Sequence, residues 1–218
     1  MALRTRKIPT ALPDEIPVFP LEGALLLPRG QIPLNVFEPR YLAMIDDALA
    51  GKRIIGLIQP EEDAGGDLPP LRAIGCAGRI TGFSETDDGR YLITLTGIVR
   101  FRVLEEVPTP TPYRVCRVTA DPFRGDFDVA GEADVDREQL LGVFRAYLAA
   151  HDLEADWDSV ARASNESLVN GMAMLSPYGP AEKQALLEAP DLKTRAETLV
   201  ALTEVTLARE AGGRGALQ

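Results

Sequence analysis

Glu38, Arg40 and Tyr41 place a carboxylate, a guanidinium and a phenol within four positions of one another in the stretch PLNVFEPRYLAMI, residues 33–45. A carboxylate beside a cation and a phenol has the parts for proton transfer, so this is the first candidate reactive centre. The sole histidine, His151, is in step with Leu140, Val143, Phe144, Tyr147 and Leu148 at helical spacing. With no serine or cysteine nucleophile at a recognisable spacing, it reads as a partly buried structural residue rather than a catalytic base. One histidine and two cysteines 40 positions apart, Cys76 and Cys116, do not assemble a familiar zinc site. Asp152, Glu154, Asp156 and Asp158 alternate as calcium ligands do, but the sixth and twelfth positions, which need glycine and a carboxylate, hold Trp157 and Ala163. That segment reads instead as an acidic helix connector with Trp157 packed inward. Gly51-Lys52 has Asp46 where a phosphate-binding loop needs its first glycine, and neither a dinucleotide fingerprint nor a G-x-S-x-G elbow is present. Asp87-Asp88 and the Asp126/Asp128 pair stand in turn-like sequence, where acidic residues serve local hydrogen bonding. No catalytic residue, cofactor or metal is therefore assigned.

The composition sets the class. With 218 residues and 45% apolar content the chain can bury a substantial core. A formal net charge of −10 argues against nucleic acid, whose binding rests on clustered Lys and Arg. Pro9, Pro13 and Pro17 break any apolar signal segment, and no run approaches the roughly 18–20 apolar residues of a membrane span. Two distant cysteines without an export signal predict buried thiols in a reducing, cytoplasmic setting.

These candidates need elements to hold them. Ile16–Leu21, Gly23–Leu27 and Ile32–Phe37 read as short strands punctuated by prolines. From Pro39 the period becomes helical: Tyr41, Met44, Ile45, Ala48 and Leu49 form a stripe, and Gly51 is placed to end it in a left-handed cap. Glu38 and Pro39 thus mark a strand-to-helix joint, with the Glu38 carboxylate placed toward the free amides of the first turn. Arg40 can pair with Glu38 or a nearby acid, or stay in solvent. Arg53–Pro60 is an apolar strand, followed by the exposed loop EEDAGGDLPP. Asp87-Asp88-Gly89 reads as a hairpin turn. After it, Tyr91, Ile93, Leu95, Val99, Phe101 and Val103 alternate with Thr94, Thr96, Arg100 and Arg102, a long half-buried strand that Gly97 lets bend. Tyr113–Asp121 is a last strand. From about Asp134 the pattern is helical, with Ser164 and Asp191 as helix caps.

Three ordered blocks then carry a family likeness. IPVFPLEGALLLPRGQIPLNVFEPRY, GCAGRI leading into DDGRYLITLTGIVRFRV, and ESLVNGMAMLSPYGPAEKQALLEAPDLKTRAETL resemble the N-terminal substrate-binding domain of the Lon ATP-dependent proteases, over about residues 16–205. No Walker loop or Ser-Lys protease segment accompanies them, so the resemblance is to a free-standing form. It implies an α+β fold: a small PUA-like β-barrel with one inserted helix over 15–130, then a helical bundle over 131–211, between loose tails at 1–14 and 212–218. It further implies a non-catalytic protein that binds unfolded polypeptide or a partner protein, through apolar patches at the barrel rim or the barrel-helix junction and main-chain pairing to a barrel edge. An adaptor for a separate full-length Lon protease, an RNA-binding PUA-like module and an unrecognised hydrolase are the alternatives, and a homo-oligomer is left open. Phe37, Glu38, Arg40 and Tyr41 are the structural motif that would double as a binding surface.

Overall fold

Prolines keep the opening strands short: β1 (Glu15–Pro20) and β2 (Gln31–Val36) have six residues each. The computed structural model describes residues 12–61, 68–128 and 130–215, without the side chains of 212–215. Residues 1–11 of the expected tail at 1–14, and most of the loop after Glu61, lie outside the described residues; Asp14 accepts a hydrogen bond from the Val118 amide, at 2.8 Å. The chain forms two units, Met1–Asp128 and Val129–Gln218.

In the first unit, α1 (Pro39–Ala50) separates β2 from β3 (Ile54–Ile58), and β4 (Ile74–Glu85), β5 (Tyr91–Val107) and β6 (Arg114–Thr119) follow. The 17-residue β5 organises the sheet. Its first part pairs antiparallel with β2 and β4, and its last part with β6. Since β6 pairs with β1, β1 with β3 in parallel and β3 with β4, the ladder returns to β5, and β2 is appended. The hairpin between β4 and β5 turns at Gly89, whose φ of 77° suits a residue without Cβ.

Gly97 is the pivot of β5. The register slips between the pairs Ala77–Val99 and Gly78–Gly97, leaving Ile98 as an extra residue. Gly97 also receives the chain entering β2: its carbonyl accepts from the Arg29 amide and its amide donates to the Gly30 carbonyl, both at 2.9 Å. This corrects the expected strand over Gly23–Leu27. Leu25, Leu26 and Leu27 are buried, but three consecutive leucines without alternation fill the interior as an unladdered segment rather than pairing as a strand.

The alternation along β5 also gives way at its centre, where Gly97–Phe101 is buried on both faces. A 3₁₀ segment, Asp121–Phe127, packs over the face that was expected to meet solvent. Arg100 is consequently buried, with its guanidinium 4.7 Å from the centre of the Phe123 ring. Asp126 answers it: Oδ2 accepts from the Arg100 amide and Nε at 2.9 Å each, and Oδ1 accepts from Nη2 at 2.8 Å.

Helix α1 buries Tyr41, Met44, Ile45 and Ala48, the expected stripe. Its end differs from expectation. Gly51 has φ −106° and donates to the Asp47 and Ala48 carbonyls, while the left-handed conformation falls on Arg53, at φ 60°.

The second unit carries α2 (Arg137–Ala150), α3 (Trp157–Arg162), α4 (Asn165–Leu175), α5 (Pro180–Glu188) and α6 (Leu192–Gly215), with α6 packed against α2, α4 and α5. The architecture is thus α+β, a mixed sheet followed by helices. Side-chain oxygens of Asp136, Asp156, Ser164 and Asp191 accept amide hydrogen bonds at the starts of α2, α3, α4 and α6. The Glu132 carboxylate adds bonds from the Asn165 and Glu166 amides. Trp157 corrects another expectation: as the first residue of α3 it is 38% exposed, its ring 6.1 Å from that of Phe144, with the Arg145 guanidinium 4.6 Å away. Capping by Asp156 fixes the helix start there and leaves the indole at the surface. Among the described residues no helix is long and apolar enough to cross a membrane.

Candidate functional site

The strand-to-helix joint forms one wall of a groove. Glu38 occupies the N-cap of α1 with φ −70° and ψ 131°, and its carbonyl accepts from the Tyr41 and Leu42 amides at 2.9 and 3.0 Å. Its carboxylate makes no capping bond, contrary to expectation. The Arg40 guanidinium takes it instead, through Nε at 3.0 Å and Nη2 at 2.8 Å. A charged partner two residues away outcompetes the helix amides for the acid. With both side chains about 40% exposed, the pair contributes at most about 1 kcal/mol, and its main effect is to aim Arg40. The guanidinium lies 4.6 Å from the centre of the Tyr41 ring, which also packs against Phe19 at 4.3 Å.

The opposite wall comes from the start of β6. The Tyr113 hydroxyl donates to Asp47 Oδ2 at 2.7 Å, tying β6 to α1. Arg114 grips Glu106 through Nε and Nη2 at 2.8 and 2.5 Å, and its Nη1 donates to the Pro69 carbonyl at 2.7 Å. Pro20, Pro60, Pro69 and Pro112 complete the walls, with Leu68 at the lip, 67% exposed. Arg40, Arg114 and Glu22 supply the polar lining. The enclosed volume is about 240 Å³. Sites for drug-sized ligands run to roughly 300–1,000 Å³, so this one suits one or two side chains of a longer molecule. Prolines and tyrosines offer that surface at low entropic cost, since their own freedom is small.

Burial first, and then the Asp47 carboxylate, push the Tyr113 phenol up to about 12. The neutral phenol is the form that donates to Asp47. Its contribution to stability is therefore fully present below the unfolded value near 10 and is lost as pH rises through 10 toward 12. Thermal melts across that range are expected to show a fall in melting temperature that is shallower in Tyr113→Phe. An equal fall in both would remove Tyr113 as its source.

The family profile of the ATP-dependent protease La (LON) substrate-binding domain matches residues 15–204. The chain belongs to that family. Lon protease 2 of Myxococcus xanthus is 30% identical over 203 residues, which cover 88% of this chain and 24% of that protein. Lon protease of Anaeromyxobacter dehalogenans is 27% identical over 202 residues. The chain thus spans about a quarter of the length of these relatives. The N-terminal domain of a Mycobacterium avium complex Lon protease superposes with a TM-score of 0.66 at 20% identity, covering 87% of this chain and 98% of that one. A Lon N-terminal domain protein of Xanthomonas campestris gives 0.60 at 24% identity, covering 86% and 97%. Both share the fold.

Within this Lon domain, the four residues of the anticipated motif separate. Arg40 and Tyr41 line the groove, and Glu38 acts on it by holding Arg40. Phe37 lies beyond the end of β2, 61% exposed, with the Arg90 guanidinium 5.8 Å from its ring centre, and is not part of the groove lining. His151 belongs to the second unit, where its Nδ1 is 2.8 Å from the Tyr147 carbonyl, its ring stacks on Tyr147 at 4.1 Å and its Nε2 is 3.3 Å from Glu210. The sequence reading missed Leu68, Pro112 and Tyr113 as partners of the joint. The available signal was the proline spacing at 60, 69, 70, 110 and 112 around residues given only as loop or strand end.

Proposed function

We propose that this Lon-family domain is a non-catalytic module that binds polypeptide, either unfolded segments or an extended segment of a partner protein, in the groove beside α1. The groove itself carries the reading: rigid prolines and tyrosines bound a volume sized for side chains, next to an exposed leucine lip. Such surfaces accept many sequences because their contacts are mostly apolar and preorganised. The candidate acid–base groups support a non-catalytic role, Glu38 being engaged by Arg40 and His151 by Tyr147 and Glu210. The finer architecture that goes with this reading is a PUA-like small barrel over 15–130, closed by the β5–β6 pairing, and a helical bundle over 131–211. A reducing cytoplasm suits two buried free thiols, that of Cys116 pushed up to about 11, chiefly by burial. The likeness to the Lon proteases of Myxococcus xanthus and Anaeromyxobacter dehalogenans favours a working relation with a full-length Lon protease, which co-purification would test.

The direct experiment is fluorescence anisotropy with a reduced, carboxymethylated model protein. Wild type is expected to bind saturably. Leu68→Asp, a change at an exposed position that leaves the fold intact, is expected to weaken binding about tenfold. Unchanged affinity in that variant would move the site elsewhere, and no binding by wild type would end the proposal.

A further inference from the structure

Tyr41 is only 7% exposed, yet its hydroxyl has no hydrogen-bond partner among the described residues. A buried phenol usually finds one, because leaving a polar group unpaired costs about 1–3 kcal/mol. Tyr41 lines the groove, so a ligand seated there lies beside a phenol that no described residue engages. Burial raises its pKa, against the opposing pull of the Arg40 charge, and so keeps it a neutral donor.

The charges around it are unequal in availability. Both groove arginines already hold carboxylates, Arg40 that of Glu38 and Arg114 that of Glu106. Glu22, also in the lining, has no ion-pair partner among the described residues. The uncompensated charge at the groove is therefore negative, in a chain whose formal net charge is −10. An acidic ligand would meet arginines that must first give up their partners, whereas a basic one meets a free carboxylate.

We infer that the groove reads an extended segment in which an apolar residue neighbours a basic one: the apolar side chain enters, its main-chain carbonyl accepts from the Tyr41 hydroxyl, and the cation pairs with Glu22. This rests on the polypeptide-binding reading above and gives it a sequence preference.

The test uses short N-acetylated, C-amidated fluorescent peptides with a central leucine flanked by lysine, glutamine or glutamate. Wild type is expected to prefer them in that order, by about threefold per step. Tyr41→Phe keeps the ring and the fold, and is expected to bind all three about three- to tenfold more weakly at an unchanged melting temperature. Glu22→Gln is expected to abolish the preference of lysine over glutamine. If wild type binds the unfolded model protein but shows no such order, or if both variants bind the peptides as wild type does, this inference fails while the broader reading stands. If wild type binds neither the unfolded protein nor any peptide, both fall together.

Discussion

Replacing Asp126 with alanine is expected to destabilise the first unit by about 3–5 kcal/mol, because it strands the Arg100 guanidinium in the interior without its counterion. Arg100 and Asp126 side chains are 4% and 9% exposed, and three hydrogen bonds join them, one from the Arg100 main chain. The Asp126 carbonyl is engaged as well, accepting from Arg29 Nη1 at 2.5 Å. The loss is therefore larger than that of the surface pairs, such as Arg124 with Asp121, whose side chains are 79% and 71% exposed. Thermal unfolding should show a drop on the order of 15 °C for Asp126→Ala. The double variant Arg100→Met, Asp126→Leu should recover much of it, since a buried pair replaced by apolar groups of similar volume is often close to neutral. If the single variant melted within about 3 °C of wild type, a smaller shift than one such pair should give, the pair would have no structural weight.

Gly97→Ala is expected to be comparably damaging. A Cβ at that position would lie 2.8 Å from the Leu27 carbonyl carbon and closer still to its oxygen. Both obstacles are backbone, and both belong to the segment that Gly97 holds by hydrogen bonds to Arg29 and Gly30. Relief requires moving the chain rather than rotating a side chain, so the cost is expected at about 3 kcal/mol or more, the upper end for overpacked sites. Gly125→Ala is the matched control: nothing lies within 4 Å of its added Cβ. Denaturant melts of the two variants should separate clearly, and equal midpoints would show that the β2 entry segment yields freely.

Much of this architecture is legible in the sequence. The stripe of α1, the hairpin at Gly89 and the caps at Ser164 and Asp191 follow from local chemistry, and local chemistry is what a sequence displays. Three features were not legible, two because they depend on distant partners and one because local chemistry left several partners open. Arg100 was assigned to the solvent face by alternation, and only the return of Asp121–Phe127 buries it. Glu38 was aimed at helix amides, and Arg40 captured it. The groove joins residues from 20 to 114, and no spacing rule links Tyr41 to Tyr113.

The returning ladder bears on how this protein avoids sticking to itself. Among the described residues every strand of the sheet but β2 pairs with at least two others, so β2 is the strand with one whole side unpaired. That edge is six residues long and carries Pro33 within it, which removes an amide from the row another chain would need. On the proposed reading, a domain that holds unfolded chains would thereby be shielded from templating them: a captured segment would meet side chains in the groove, while the β2 edge would offer its backbone little to grow on.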